Sequence, residues 1–150
     1  QAYQESTLDQ GARSSKGALG VMQVLPSTAN EPYINVGNIR VLENNVHAGT
    51  KYMRYIMDTY FADAQMDEHN RALFALAAYN AGPNRIAAYR KEAIRRGLNG
   101  NVWFGHVEKV AASRVGAETV NYVKNVSSRY VAYRRSYELI AQKNKLYRPG

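Results

Sequence analysis

Apolar residues recur at three- and four-residue steps along nearly all of this 150-residue chain, alternating strand-like runs are scarce, and glycine or proline marks the breaks. That pattern restricts the chain to an all-α fold, with room for one small irregular or hairpin-like insertion. Val41 to Phe61 reads as the first long amphipathic helix, with Val46, Gly49, Met53, Ile56 and Tyr60 on one face. Glu68 to Tyr79 is the second, nearly apolar from Ala72 to Ala78 and therefore expected to be central and buried. Asn84 to Arg96 is the third, stopped by Gly97, and Glu118 to Ala141 is the last and longest. On that last helix Val120, Val123, Tyr130, Tyr133 and Tyr137 are the expected packing positions.

The remaining segments are shorter. Residues 1 to 10 read as the end of a helix stopped by Gly11, and Ser14-Ser15-Lys16-Gly17 as a loop. Residues 18 to 24 are expected to form a short helix and Pro26 to Ala29 to start another, with Pro32 and Gly37 breaking the stretch before Val41 into a loop. A Gly- and Asn-rich segment, Gly97 to Gly105, carries the only tryptophan, Trp103.

This length suits one domain spanning 1–150, large enough for a proper core but not for two. No apolar run approaches the length of a bilayer span. With zero cysteines, disulfides and thiolate metal sites are excluded, and stability must come from packing and hydrogen bonds. Twenty Lys and Arg against twelve Asp and Glu leave a net charge of +8, which suits a polyanionic partner. The positive residues cluster as Arg85, Arg90, Lys91, Arg95 and Arg96, then Arg129, Arg134, Arg135, Lys143, Lys145 and Arg148, partly as solvated helix faces. No helix-turn-helix or phosphate-loop signature accompanies them, so nucleic acid is not the expected partner. His47, His69 and His106 share no metal-ligand spacing, and neither metal nor cofactor is expected. The start, Gln1-Ala2-Tyr3-Gln4, lacks the basic and apolar parts of a secretory signal. Glu5, a candidate acid, sits almost at the terminus, where a catalytic side chain would be poorly held because chain ends fray. The expectation is a fragment whose first helix begins upstream, in a longer parent that also carries any upstream regulatory domain.

Three blocks carry chemistry. Glu5, at a helix end and near apolar groups such as Met22, could be kept protonated by desolvation, as a general acid near neutral pH must be. Gly17 and Gly20 let backbone approach a ligand, and Gln23 offers an amide that can both donate and accept. Ala77-Ala78-Tyr79-Asn80-Ala81-Gly82-Pro83 adds a Tyr-Asn pair, the tyrosine suited to stacking on a sugar face.

Glu5-Ser6-Thr7-Leu8-Asp9, followed by Ala12, Ser14, Gly17-Ala18, Gly20-Val21-Met22-Gln23-Val24, Pro26 and Thr28-Ala29, resembles the signature of the lytic murein transglycosylases with a goose-lysozyme-like catalytic domain. Asn45-Val46-His47-Ala48-Gly49 with Tyr52 looks like the family's Asn-Ile-x-x-Gly helix motif. Ala77 to Gly82 matches its Ala-Ala-Tyr-Asn-Ala-Gly block, and Glu118-Thr119 with Tyr122-Val123 and Val126 its closing helix. The motifs fall in the family's order over nearly the whole chain. Within the family, the chain looks most like the membrane-bound type F subgroup, in which such a domain follows a solute-binding-like one. Leu25 departs from a methionine frequent in relatives, a volume-conserving change.

The resemblance implies a lysozyme-like helical domain with a substrate groove. Glu5 would be sole catalytic acid and base, and Ser14, Met22, Gln23, Tyr79 and Asn80 would line the sugar site, with Glu118 and Tyr122 supporting it from the last helix. It implies cleavage of the β-1,4 bond between N-acetylmuramic acid and N-acetylglucosamine in peptidoglycan strands without added water, giving 1,6-anhydro ends. It further implies a monomer and a periplasmic location, any outer-membrane attachment lying in parts outside this chain. Two alternatives stay open on the residues. Hydrolysis by the same fold, as in goose-type lysozyme, needs a second acid from among Asp9, Glu43, Asp58 and Asp67. A basic module that binds polyanions would explain the charge but leave Glu5, Gln23 and Tyr79-Asn80 without a task.

Overall fold

A computed structural model describes residues 1–63 and 65–146. Arg148 and the side chain of Lys145 lie outside the described residues. The helices are α1 (Ala2–Ser6), α2 (Pro26–Ala29), α3 (Leu42–Tyr60), α4 (Glu68–Ala81), α5 (Pro83–Arg95), α6 (Glu108–Val115) and α7 (Ala117–Leu146). The all-α expectation holds. Among the described residues extended pairing is limited to isolated antiparallel bridges, Arg13 with Leu19 and Leu19 with Val24.

Those bridges correct the expected helix at 18–24. Gly17, Gly20 and Gln23 adopt φ of 83°, 74° and 48°, which no right-handed helix accommodates. Leu19 and Val24 instead exchange backbone hydrogen bonds at 2.9 and 3.0 Å, closing a tight hairpin-like loop. Within residues 18–24 both Gly20 and Gln23 stand at positive φ, so this run turns instead of winding into a helix.

α4 is central, as its apolar run requires: Leu73, Phe74, Ala75, Ala77 and Ala78 are buried, and the helix packs against α3, α5 and α7. Asp67 caps it, its carboxylate accepting from the Asn70 amide at 2.7 Å. Gly82 at φ 95° stops α4, and Pro83 opens α5 where a missing N–H costs nothing. α6 was not anticipated. It follows a kink at Trp103–Val107, where Phe104 is extended and Gly105 left-handed, and that kink drops Trp103 into the core. The indole meets Phe74 edge-on at 5.6 Å, and Phe74 meets Phe61 at 5.4 Å, contacts of about 0.5–1.5 kcal/mol each beyond burial. Arg90, expected on a basic face, is instead half-buried: its guanidinium lies over Phe61 and Phe74 and donates to the Gly100 carbonyl at 2.9 Å. It thereby holds the 97–102 loop against α5.

A second, smaller apolar cluster gathers Val21, Met22, Val24, Ala29, Ile34, Val36, Ile39 and Ala48 beneath the hairpin-like loop. Tyr52 packs against both clusters and joins them. On α3 the inward face is Asn45, Ala48, Gly49 and Ile56, so the expected inward Val46 is corrected: it is exposed, and a polar residue takes its place. α7 divides in two. Thr119, Tyr122, Val123 and Val126 are buried, whereas Tyr130, Tyr133 and Tyr137, expected to pack, are 59%, 68% and 75% exposed. The apolar seam continues at the same spacing, but the body it packs against ends. Beside it, Tyr3, Met53, Leu76, Tyr130 and Tyr133 line an open groove of about 950 Å³. Among the described residues no helix is long and apolar enough to cross a membrane.

Candidate active site

Thr7 and Leu8 both turn left-handed, at φ 55° and 67°, so α1 ends at Ser6 and Glu5 occupies its last turn. Ser6 ties that turn to the hairpin-like loop, its hydroxyl donating to the Val21 carbonyl at 3.1 Å and accepting from the Asp9 amide at 3.1 Å. Gln10 adds a second tie, donating to the carbonyls of Ile39 (3.2 Å) and Arg40 (2.9 Å) and accepting from the Val21 amide (3.2 Å). A short helix is thus held by side chains that sequence reasoning passed over. From the other side, Arg129 of α7 covers the Tyr3 ring at 4.9 Å and donates to Gln4 at 2.5 Å.

Glu5 is half-buried, and its carboxylate accepts a hydrogen bond from the Tyr122 hydroxyl across 117 positions of sequence. Burial raises its pKa above the ordinary glutamate value, while the Tyr122 hydrogen bond opposes that rise by favouring the ionised form. Burial, then the Glu5 charge, push the phenols of Tyr122 and Tyr79 upward, so both remain proton donors. Tyr79 donates to the Met22 carbonyl at 2.8 Å, and its ring lies 5.3 Å from that of Tyr52. Met22 is itself buried and sits where Gly49 leaves room: a Cβ on Gly49 would come within 2.9 Å of the Met22 side chain.

Gln23 is on the same loop, but its amide N–H groups are taken by the carbonyls of Gly20 (2.9 Å) and Ala12 (3.3 Å). Of the donor and acceptor expected from it, only the acceptor is left for a ligand. Ser14 is exposed and knots the loop, its hydroxyl accepting from the Ala18 amide at 3.0 Å. Asn80 is half-buried at the end of α4 and accepts from the Thr119 hydroxyl at 2.8 Å. Glu118 is exposed in the first turn of α7 and, among the described residues, makes no hydrogen bond or ion pair. The fold therefore brings Glu5, Met22, Tyr79 and Tyr122 into one connected set, with Gln23 and Asn80 attached to it and Glu118 outside it.

Two residues were missed as site components, Thr119 and Asn45. Asn45 is fully buried and makes three hydrogen bonds: it accepts from the Met22 amide (2.8 Å) and donates to the carbonyls of Leu19 (2.8 Å) and Ile39 (3.0 Å). Its signal was an asparagine one turn before a glycine on an otherwise apolar helix face.

No other carboxylate contributes to the Glu5 shift. Asp9 accepts from the Gly11 amide at 2.7 Å and serves the turn, as its spacing suggested. Asp58 pairs with Arg54 at 2.7 Å, Asp67 caps α4, and Glu43 is exposed at the start of α3. Among the described residues no three acidic or histidine side chains come together as a metal site.

Replacing Tyr122 by Phe removes the hydrogen bond that stabilises ionised Glu5. The alkaline limb of the pH–rate profile is expected to move to higher pH, and kcat to fall about 10- to 100-fold, since bonds to charged groups contribute about 1.5–3 kcal/mol. An unmoved limb would place Tyr122 outside the proton chemistry.

A lysozyme-like all-α domain with one half-buried carboxylic acid at a helix end is the class that fold and site define. Residues 2–99 match the transglycosylase SLT domain model, and the chain belongs to that family. It is similar to the soluble lytic murein transglycosylase of Salmonella typhimurium, 32% identical over 146 residues that cover 91% of this chain and 20% of that protein. It is also similar to membrane-bound lytic murein transglycosylase F of Pseudomonas fluorescens: 36% identical over 101 residues in one strain, covering 67% of this chain and 20% of that protein. In a second strain the figures are 31% over 142 residues, 85% and 28%. The chain spans 20% to 28% of the length of these relatives.

Proposed function

We propose that this chain is the catalytic domain of a peptidoglycan lytic transglycosylase, and that Glu5 alone supplies its acid and base. One observation carries this reading: a half-buried carboxyl group whose protonation is favoured by burial, gripped by Tyr122, with no second carboxylate acting on it. Protonated Glu5 donates to the glycosidic oxygen as the bond to the anomeric carbon of N-acetylmuramic acid breaks toward an oxocarbenium-like state. The substrate's own acetamide stabilises that carbon, so no protein nucleophile is required. Ionised Glu5, steadied by Tyr122, then takes the proton of the C6 hydroxyl. The C6 oxygen closes on the anomeric carbon and the acid is regenerated. Atoms balance without water, and the product is a 1,6-anhydro end.

In this reading Met22, Gln23, Tyr79 and Asn80 border the sugar site, Ser14 lines its loop edge, and Glu118 acts at most on distant parts of the strand. The +8 charge suits acidic peptidoglycan stems and associated polymers. The domain works in the periplasm on glycan strands, within a longer parent. Mass spectrometry of products from purified peptidoglycan tests it. Anhydro-muramyl ends, lighter by one water than reducing ends, are expected. Reducing ends would instead make the domain a hydrolase.

A further inference from the structure

Thr119 is 3% exposed in the first turn of α7, and its hydroxyl donates to the side-chain carbonyl of Asn80 at 2.8 Å. A helical threonine usually gives its proton to a carbonyl three or four residues back in its own helix. α7 begins at Ala117, so the carbonyl three residues back is that of the capping Gly116, and the Thr119 hydroxyl is given to Asn80 instead of to it. Its proton goes to Asn80, and water is too well excluded to compete. Tyr122 stands three residues on, on the same face of α7, where its hydroxyl holds Glu5. Two hydroxyls one helical turn apart thus hold one acid and one amide of the candidate site.

A primary amide offers a carbonyl that accepts and an NH2 group that donates. With one lone pair of the carbonyl engaged from behind, the half-buried Asn80 turns that oxygen toward α7 and keeps two N–H donors, which have no protein partner among the described residues. We propose that Thr119 is a positioning residue that sets the polarity of Asn80, so that Asn80 acts on the glycan as a hydrogen-bond donor to an acceptor oxygen of the strand. The inference rests on the transglycosylase reading of the site. It adds a specificity: an acceptor oxygen of the glycan is favoured at this position over a group that can only donate.

The experiment uses the Glu5→Gln background, in which bound strands are not consumed, and a soluble peptide-free oligomer of alternating N-acetylglucosamine and N-acetylmuramic acid, with Kd read by calorimetry. Thr119→Val keeps the shape and removes the donor, so Asn80 is free to flip; Kd is expected to weaken about tenfold. Thr119→Ser restores the hydroxyl and should return Kd to within about threefold. Asn80→Asp, shape-matched but unable to donate when ionised, is expected to weaken binding at least as much as Thr119→Val. An Asn80→Asp affinity equal to the background would overturn the proposal, because the carbonyl would then be the face that meets the glycan. So would a Thr119→Val affinity within about twofold of the background at unchanged melting temperature. If Thr119→Val does not fold, the Asp and Ser variants decide alone. Absence of cleavage by the unmodified domain together with absence of binding in the Glu5→Gln background fails the parent reading first, before any Thr119 variant is made.

Discussion

Glu5→Gln is expected to abolish turnover on purified peptidoglycan, by at least about a thousandfold, while glycan binding survives. General acid or base action by a positioned side chain is worth about 10²–10⁴ in rate, and here one group serves both steps. The amide keeps the size of the carboxylic acid and can still meet the Tyr122 hydroxyl, so the binding surface changes little. The same substitution should raise stability at neutral pH. Because the folded chain holds the Glu5 proton more tightly than the unfolded chain does, the folded state binds more protons between the two pKa values. Stability therefore falls as pH climbs from the ordinary carboxylate range through the raised folded value, and the loss persists above it. A neutral glutamine escapes that loss. Thermal melts at pH 7 should place Glu5→Gln above the unmodified domain, and melts below pH 4 should bring the two together. Equal melting temperatures at both pH values would mean that burial does not raise the Glu5 pKa, and retained turnover would remove the residue from the mechanism.

Asn45→Ala is expected to be the most destabilising single change near the site, by about 3–5 kcal/mol. Three backbone groups lose a hydrogen bond at once: the Met22 amide is left without a partner, and the carbonyls of Leu19 and Ile39 keep only the bonds from Val24 and Gln10. The unpaired amide costs about 1–3 kcal/mol and each carbonyl bond lost about 0.5–1.5 kcal/mol, which together centre on about 4 kcal/mol. The fit around the amide leaves no slack, for a Cβ on Gly20 would lie 2.5 Å from the Asn45 side-chain nitrogen. At this chain length such a loss corresponds to a melting temperature lower by about 10 °C. Activity should fall with it even at temperatures where the variant is folded, because the Met22 carbonyl that receives Tyr79 is positioned by Asn45. Urea unfolding and turnover at low temperature separate the two effects. A change under about 1 kcal/mol would show that water replaces the amide at no cost.

The helix inventory was legible because it depends on neighbours in sequence. Val41 to Phe61, Glu68 to Tyr79, Asn84 to Arg96 and Glu118 to Ala141 each fall within a few residues of α3, α4, α5 and α7. Their ends are written in Gly82-Pro83 and in the residues around Gly97 and Gly116. The wholly apolar stretch of α4 announced its central place for the same reason, since no face of it could meet water. Glu5, Met22, Tyr79 and Tyr122 could be named from their motifs.

What sequence could not supply is which faces find partners. Periodicity ranks residues by their own hydropathy, so it turned Val46 inward, whereas Asn45 is the residue in the core, where its amide binds the backbone of Leu19, Met22 and Ile39 and gives the Met22 N–H its partner. It likewise assigned Tyr130, Tyr133 and Tyr137 to packing, because a seam of correct spacing looks the same with or without a body beside it. The bonds that make a site, Tyr122 to Glu5 and Thr119 to Asn80, span 117 and 39 positions. Local propensity sets helices through contacts within four residues, but pairing across such distances is chosen by how the helices pack, and only the tertiary structure expresses that choice.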